Sequence, residues 1–230
     1  MAVVRRLRCT VARVTDHGEH VYSVELTPTQ PVPRFAPGQF LHLALDADQP
    51  GGFWPESRAF SIASSPDERD RLLITYAVKG VFTMRMEREL AIGRDVWVKL
   101  PYGEFIVEPD RDAVLFAGGT GITAFTAFIG SLAPDHRANV LLFYGARNPR
   151  LFVYGPLVEA RAREVESLSC SLVSEESQGR LRVDAVWPAI SALRDPAIYL
   201  SGPPPMLAAL TSQLHGHGVA VNNVRVDAWE

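Results

Sequence analysis

Cysteine is scarce in this chain: its 230 residues contain only Cys9 and Cys170. An iron–sulfur cluster usually takes four cysteine ligands, so we expect no cluster in this chain. A single distant pair indicates no disulfide framework, and we expect reduced thiols and a cytoplasmic location. His215 and His217 form only an i, i+2 pair, which is poor evidence for a metal, so no metal site is predicted.

The chain also lacks a strong excess of positive or negative residues, and it lacks a long uninterrupted hydrophobic run. The formal net charge is −3, which implies no attraction to nucleic acid. The first residues lack the apolar core of a signal peptide. Residues 113–133 carry no charge and are long enough to suggest a membrane span. Gly118, Gly119 and Gly121 interrupt them, however, so a buried strand, a glycine turn and a helix are the better interpretation.

The chain up to about Glu108 has the pattern of a β-rich domain. Short runs of branched and aromatic residues alternate with turn signals such as Pro37-Gly38 and Gly51-Gly52, which predicts a sandwich or a small barrel. A short helix is predicted over Thr83–Leu90. The predicted strands are Val21–Leu26, Gln39–Leu45, Arg58–Ala63, Leu72–Val78 and Asp95–Leu100.

From Asp112 onward, predicted strands alternate with predicted helices. Such alternation indicates a parallel sheet that is covered on both faces. In sheets of this kind, ligands bind at the carboxyl ends of the strands. The strands are expected at Val114–Ala117, Val140–Tyr144, Leu168–Val173, Ala197–Leu200 and Val224–Asp227, with helices to about Leu132, over Leu157–Val165 and over Met206–His215.

Two loops of the second half follow predicted strands. Gly118-Gly119-Thr120-Gly121 opens a helix, where free N–H groups can bind phosphate; a tight turn without a ligand is the alternative. Ser201-Gly202-Pro203-Pro204-Pro205-Met206 follows the fourth strand and starts another helix. The second strand ends in Gly145-Ala146-Arg147-Asn148, without the carboxylate that an ordinary dinucleotide fingerprint places there to bind ribose.

The first half contains two further candidate anion sites. Arg58, Phe60 and Ser61 offer a cation, a stacking ring and a hydroxyl within four residues. About twenty residues later, Lys79-Gly80-Val81-Phe82-Thr83 leads into the short helix. Each has a plain structural alternative: Arg58 as an exposed strand residue and Thr83 as a helix-start residue.

In this order and spacing, R-x-F-S-x-x-S, K-G-x-x-T, G-G-T-G-I-T and S-G-P-P-P-M resemble the ferredoxin–NADP reductase superfamily. The resemblance runs from about residue 5 to the end of the chain. It implies a two-domain fold, in which an antiparallel six-stranded flavin-binding β-barrel over residues 1–108 precedes an α/β parallel-sheet NAD(P)-binding domain over residues 109–230. It also implies FAD in preference to FMN.

The resemblance also assigns roles to residues. Arg58 would hold the flavin phosphate, Phe60 would face the ring where the family usually has tyrosine, and Trp229 would shield the flavin. Three residues are catalytic candidates: Ser61, Ser201 and Asp227. The other flavin candidates are Ile62, Val78, Lys79, Gly80, Val81 and Thr83. The pyridine-nucleotide candidates are Gly118, Gly119, Thr120, Gly121, Ala146, Arg147, Ser174, Glu175, Gly202, Pro203, Pro204 and Met206.

Two departures from the family pattern bear on function. Ser201 stands where many members have a cysteine that assists hydride transfer, so the rate is lower or that role is dispensable. Glu175 and Glu176 follow the third strand, where NADP-using members often have Ser-Arg. Carboxylates repel a 2′-phosphate, so we expect NADH to be preferred over NADPH, although Arg147 and Arg150 could reverse this.

The implied activity is that of an NAD(P)H-dependent flavoprotein reductase. It would pass electrons to a redox protein such as a ferredoxin or an oxygenase component, or to a small-molecule acceptor. A flavin reductase that uses free flavin and an electron-transfer subunit of a larger complex are the alternatives. Lys99 and the early arginines could help to dock an acidic partner, or could be ordinary surface charge. We expect a monomer or a weak dimer.

Overall fold

The computed structural model describes residues 3–49 and 51–227. It divides the chain into two compact units, one that ends at Ile106 and one that begins at Val107. The boundary predicted from the sequence, after residue 108, lies two residues further on. Each unit has its own sheet and its own hydrophobic core.

The first unit is a six-stranded antiparallel sheet that curls into a nearly closed barrel, as expected. Its strand order is β4-β3-β6-β1-β2-β5, and a single helix, α1, follows β5. The elements are β1 Arg5–Asp16, β2 Val21–Pro28, β3 Phe40–Ala44, β4 Ser57–Ser61, β5 Leu72–Ala77, α1 Val81–Glu89 and β6 Asp95–Tyr102.

The two outermost strands of this order, β4 and β5, meet beyond the end of β4. The Ala63 N–H donates to the Leu73 carbonyl (2.8 Å), and the Leu73 N–H donates to Ser64 Oγ (3.2 Å). Along β4 itself, ladder pairing runs to β3 alone among the described strands. The free edge of β4 therefore offers main-chain groups that a ligand can pair with.

Strand β1 (Arg5–Asp16) is absent from the strands predicted above. Leu7, Cys9 and Val11 point into the barrel core, while the residues between them are outside. Burial raises the pKa of the Cys9 thiol to about 12, so this cysteine is an inert part of the core.

The second unit is a five-stranded parallel sheet in the order β11-β10-β7-β8-β9. Its strands are β7 Ala113–Gly118, β8 Val140–Ala146, β9 Leu168–Ser174, β10 Ala197–Ser201 and β11 Val224–Asp227. Its helices are α2 Thr123–Ser131, α3 Gly155–Glu164, α4 Glu175–Gln178, α5 Val183–Ser191 and α6 Pro204–Gly216, with short 3-10 turns at Gly119–Ile122, Pro149–Leu151 and Val221–Asn223.

All six residues of β7 are buried, so both faces of the sheet centre are covered. On one face, α5 and α6 pack against Val114 and Phe116 of β7 and against Leu200 of β10. Helix α5 was not predicted, because Pro188 inside it is a helix breaker. Within the described ranges, no helix has the length and apolar character needed to cross a bilayer.

Candidate functional site

Arg58 lies on β4 at the free edge of the barrel sheet. Its guanidinium stands over the Phe82 ring, 5.1 Å from the ring centroid, and Phe82 is the second residue of α1. One guanidinium nitrogen, Nη1, donates to the Ser57 carbonyl (2.9 Å), and Nη2 donates to Glu56 Oε1 (3.0 Å). The structure thus brings together the two sequence motifs of the first half.

The first turn of α1 supplies the second part of this site. The turn contains no acidic residue, so its positive dipole end is not offset locally. A Cβ added at Gly80 would meet nothing within 4 Å, so the approach to this helix start is open. The N–H groups of Val81 and Phe82 begin the helix, where main-chain donors lack partners in the preceding turn.

Several of the predicted main-chain donors before α1 are already engaged. The Val78 N–H donates to the His20 carbonyl (2.9 Å). The N–H groups of Lys79 and Gly80 donate to Thr83 Oγ1 at 2.9 and 3.1 Å, and the Thr83 hydroxyl donates to the Gly80 carbonyl (3.0 Å). Thr83 therefore holds the helix entry together, and the donors that face a ligand begin at Val81.

Ser61 is the last residue of β4, and it is only 8% exposed. Phe60 is half-buried and lies edge-on to the Tyr76 ring, with the centroids 6.2 Å apart. Ile62 is fully buried in the barrel core, so its side chain supports the strand end. Along this strand Arg58 is therefore exposed, Phe60 is half-buried and Ser61 is buried on the opposite face.

In the second unit, the chain leaves β7 toward β8 on one side, while β10 lies on the other. This is a topological switch point, where α/β sheets bind ligands. The glycine turn after β7 and the proline loop after β10 meet there. A Cβ on Gly121 would lie 2.5 Å from the Ser201 carbonyl carbon and 2.7 Å from the Gly202 nitrogen, and a Cβ on Gly118 would collide with Pro203 and Met206.

These contacts give a packing role to two of the glycines. Gly118 and Gly121 allow two loops to approach closely, and their role in binding a nucleotide stays a prediction. Gly119 differs, because its φ of +54° favours glycine and a Cβ there would meet nothing within 4 Å. Thr120 lies next to it, and its carbonyl accepts from the Thr123 hydroxyl (2.8 Å). The open surface of this turn is therefore at Gly119 and Thr120.

Ser201 and Asp227 are register partners at the carboxyl ends of β10 and β11. The Ser201 hydroxyl donates to Asp227 Oδ2 (2.9 Å), with Ser201 fully buried and Asp227 7% exposed. The next loop residues, Pro203 and Pro204, are exposed; Pro203 caps α6, and Pro204 is the first residue of this helix. Ser201 therefore holds a carboxylate in place at the edge where a nucleotide is expected.

The ends of β8 and β9 are also joined. The Glu176 N–H donates to the Arg147 carbonyl (3.0 Å), and the Glu175 carboxylate pairs with Arg180 Nε (2.9 Å). Ala146 is buried, whereas Arg147 is exposed. Ser174 is 5% exposed, and its hydroxyl is buried with no hydrogen-bond partner among the described residues.

Most of the arginines that were considered for docking have carboxylate partners. Arg6 pairs with Asp48 (3.0 Å), and the longer pairs are Arg8–Asp95 (3.7 Å) and Arg13–Glu25 (3.6 Å). Lys99 Nζ lies 5.6 Å from the Tyr102 ring centroid. These neighbours are typical of a barrel surface, and a role of the cations in docking stays a prediction. Trp229 lies outside the described residues.

Sequence reasoning gave no role to three residues at these sites. The Phe82 ring packs against the Arg58 guanidinium, and the Glu56 carboxylate accepts a hydrogen bond from that guanidinium. Leu181 packs against Gly145 at the end of β8, about 3.5 Å from where a Cβ would lie. Of the three, only Glu56 left a signal, because a carboxylate two positions before an arginine is close enough along the chain to pair with it.

Comparison with known proteins agrees with this fold. A family model described as an oxidoreductase NAD-binding domain matches residues 115–212. The ferredoxin reductase component of 3-ketosteroid-9-alpha-monooxygenase from Mycobacterium tuberculosis is 27% identical over 201 residues, which cover 86% of this chain and 55% of that protein. This chain therefore spans about half the length of the first curated relatives.

Solved structures extend the likeness to both units. A cytochrome P450 reductase from Amycolatopsis matches with a TM-score of 0.84 at 24% identity, over 99% of this chain and 70% of that one. The ferredoxin reductase of a carbazole 1,9a-dioxygenase matches with a TM-score of 0.77 at 25% identity over the same shares, and a second structure of it is described as its FAD apo form. With the barrel, the parallel sheet and the matched NAD-binding model, these findings support the resemblance to the ferredoxin–NADP reductase superfamily.

Proposed function

We propose that the chain is a flavin-dependent NAD(P)H oxidoreductase that passes electrons to a separate acceptor. Arg58 carries this proposal: its exposed guanidinium stands over the ring of Phe82, which lies in the first turn of a helix that has no acidic residue there. A guanidinium beside a helix N-terminus is suited to a phosphate group. The similarity to proteins named as reductase components supports the same activity.

The residues of the barrel fit a flavin. Arg58 and the Val81 N–H would hold the phosphate, the Phe60 ring would lie against the isoalloxazine, and the Ser61 hydroxyl would orient flavin N5. When bound, the flavin supplies the redox chemistry by accepting hydride from the nicotinamide and releasing the electrons to the acceptor. FAD is preferred to FMN, because a structure of the carbazole dioxygenase reductase is described as its FAD apo form, which names FAD as the flavin of that protein.

The second unit fits a pyridine nucleotide. The open surface at Gly119 and Thr120 would receive the pyrophosphate, while the Gly202-Pro203-Pro204 loop would lie near the nicotinamide. Asp227, held by the Ser201 hydroxyl, would present a fixed carboxylate at that edge. In this arrangement Ser201 acts as a positioning residue, because its proton is directed at Asp227.

NADH is the proposed coenzyme. Glu175 and Glu176 begin α4 directly after β9, and the Glu176 main chain is hydrogen-bonded to Arg147. Arg180 neutralises Glu175, so the repulsion of a 2′-phosphate depends mainly on Glu176. The ratio of kcat/KM for NADH and NADPH tests this. We expect NADH to be favoured and Glu176→Gln to narrow the ratio; a wild-type preference for NADPH would refute the proposal.

The proposed acceptor is a redox protein such as a ferredoxin or an oxygenase component. The support is that the curated relatives are named as components of oxygenase systems. Steady-state oxidation of NADH by the chain with ferricyanide as a substitute acceptor tests the reductase half alone. We expect turnover that depends on added FAD; turnover without any flavin would contradict the proposal.

A second candidate is a reductase that uses free flavin as a substrate. The observation in its favour is that Glu56 already engages Arg58, which would weaken the hold on a flavin phosphate. Gel filtration of the FAD-loaded chain separates the candidates. Retained yellow colour supports a resident cofactor, and colour lost to the small-molecule fractions supports an exchangeable flavin.

A further inference from the structure

Glu56 stands immediately before β4 and forms an ion pair with Arg58. The distance from Arg58 Nη2 to Glu56 Oε1 is 3.0 Å, and the two side chains are about half exposed. The Arg58 Nη1 group donates to the Ser57 carbonyl as well. Two of the guanidinium nitrogens that could bind an anion are therefore occupied by the protein itself.

A carboxylate and a phosphate seek the same donors of a guanidinium, because both accept through paired oxygens. From this we infer that Glu56 is an internal competitor that weakens the binding of phosphate-bearing flavins at Arg58. The inference rests on the proposed function, which puts the flavin phosphate at Arg58. It adds an affinity-setting residue that has no part in the redox step.

The competition makes a distinctive prediction about flavin selectivity. Riboflavin has no phosphate, so Glu56 does not affect its binding. FMN and FAD must displace the Glu56 carboxylate from Arg58 and then tolerate its negative charge nearby. Glu56 thus lowers the affinity for FMN and FAD but not for riboflavin, so the difference between them becomes smaller. The weaker binding of FMN and FAD favours exchange of the flavin with solution.

Glu56→Gln tests the inference, because the amide keeps the shape and removes the charge. We expect FMN and FAD to bind roughly two- to fivefold more tightly to this variant, and riboflavin to bind as in the wild type. The gain should shrink at high salt, since an exposed charge is screened. Dissociation constants of the three flavins for the full chain, from quenching of flavin fluorescence, give the comparison.

Glu68→Gln is the matched control. Glu68 pairs with Arg71 at 2.7 Å in the same unit, with comparable exposure, and it lies outside the proposed site. It should leave all three flavin affinities unchanged. The Glu56→Gln gain should also vanish in an Arg58→Ala background, where there is no guanidinium to release.

The outcomes separate the inference from the proposed function. If the wild type binds FMN and FAD but Glu56→Gln leaves their affinities unchanged, the competition is refuted while the flavin site stands. An equal gain for riboflavin would also refute it. If neither the wild type nor the variant binds any of the three flavins, the proposed function itself fails.

Discussion

Replacing Gly121 by alanine tests whether the glycine turn after β7 is needed for packing or for a ligand. The new Cβ would lie 2.5 Å from the Ser201 carbonyl carbon and 2.7 Å from the Gly202 nitrogen, and both atoms are main chain. Ordinary contact begins near 3.4 Å, so the two loops must separate by roughly 1 Å. A main-chain obstacle cannot rotate away as a side chain can.

Overpacking a tight site costs about 1–3 kcal/mol, and the main-chain collision indicates the upper end of that range. Gly121→Ala should therefore lower the unfolding free energy of the second unit by about 3 kcal/mol, equivalent to roughly 10 °C in Tm. Calorimetry of the full chain is the assay. Nucleotide affinity should fall in parallel, because the same displacement moves the Gly202 loop.

Two other glycines provide the controls. Gly130, on α2, has open space around it, and alanine there should stabilise the unit by up to about 1 kcal/mol. At Gly119 alanine meets no atom but must adopt a φ of +54°, so a cost of about 1–2 kcal/mol is expected, with a larger effect on nucleotide binding. Unchanged stability of Gly121→Ala would refute the packing argument.

Three further predictions concern single side chains. Arg58→Ala should weaken FAD binding by about 1.5–3 kcal/mol, measured by fluorescence titration, because it removes charge-assisted hydrogen bonds. Ser201→Ala should lower the unfolding free energy of the second unit by about 1.5–3 kcal/mol, measured by denaturant unfolding, because Asp227 loses a buried donor. The loss for Ser201→Cys should be intermediate, because a thiol is a weak donor. Burial and a nearby lysine lower the pKa of His42, whereas Glu87 raises that of His20. The stability that neutral His42 contributes should therefore be lost as the pH falls below about 6.5, and the stability that charged His20 contributes should be lost as the pH rises above about 6.5. The Tm differences of His42→Gln and His20→Gln from the wild type, measured on both sides of this pH, should show opposite trends.

Each of these has a contradicting result. If Arg58→Ala binds FAD as tightly as the wild type does, Arg58 does not bind the flavin phosphate. A Ser201→Ala variant as stable as the wild type would mean that Asp227 does not depend on the hydroxyl. Parallel pH trends for the two histidine variants would show that their environments in the barrel are not those described.

Much of the fold could be predicted from short stretches of sequence, because a strand or helix leaves its own spacing of apolar residues. Alternating apolar residues bounded by turns located five of the six barrel strands, and strand–helix alternation located the parallel sheet. Strand β1 was missed because it is rich in arginine, although Leu7, Cys9 and Val11 alternate within it. Helix α5 was missed because Pro188 interrupts its helical pattern.

The candidate site was less predictable, because its contacts join distant parts of the chain. Nothing near Gly121 in the sequence indicates that residue 201 will touch it. In the same way, no local pattern places Phe82 under the Arg58 guanidinium or directs the Ser201 hydroxyl to Asp227. Residue types at strand ends could be nominated from the sequence, but their partners depended on tertiary structure.

Anaerobic titration of the FAD-loaded chain with NADH tests the central claim most directly. The account predicts that the oxidised flavin absorption disappears with one NADH consumed per flavin, and that it returns when an electron acceptor is added. A chain that holds flavin whose spectrum neither NADH nor NADPH changes would contradict it.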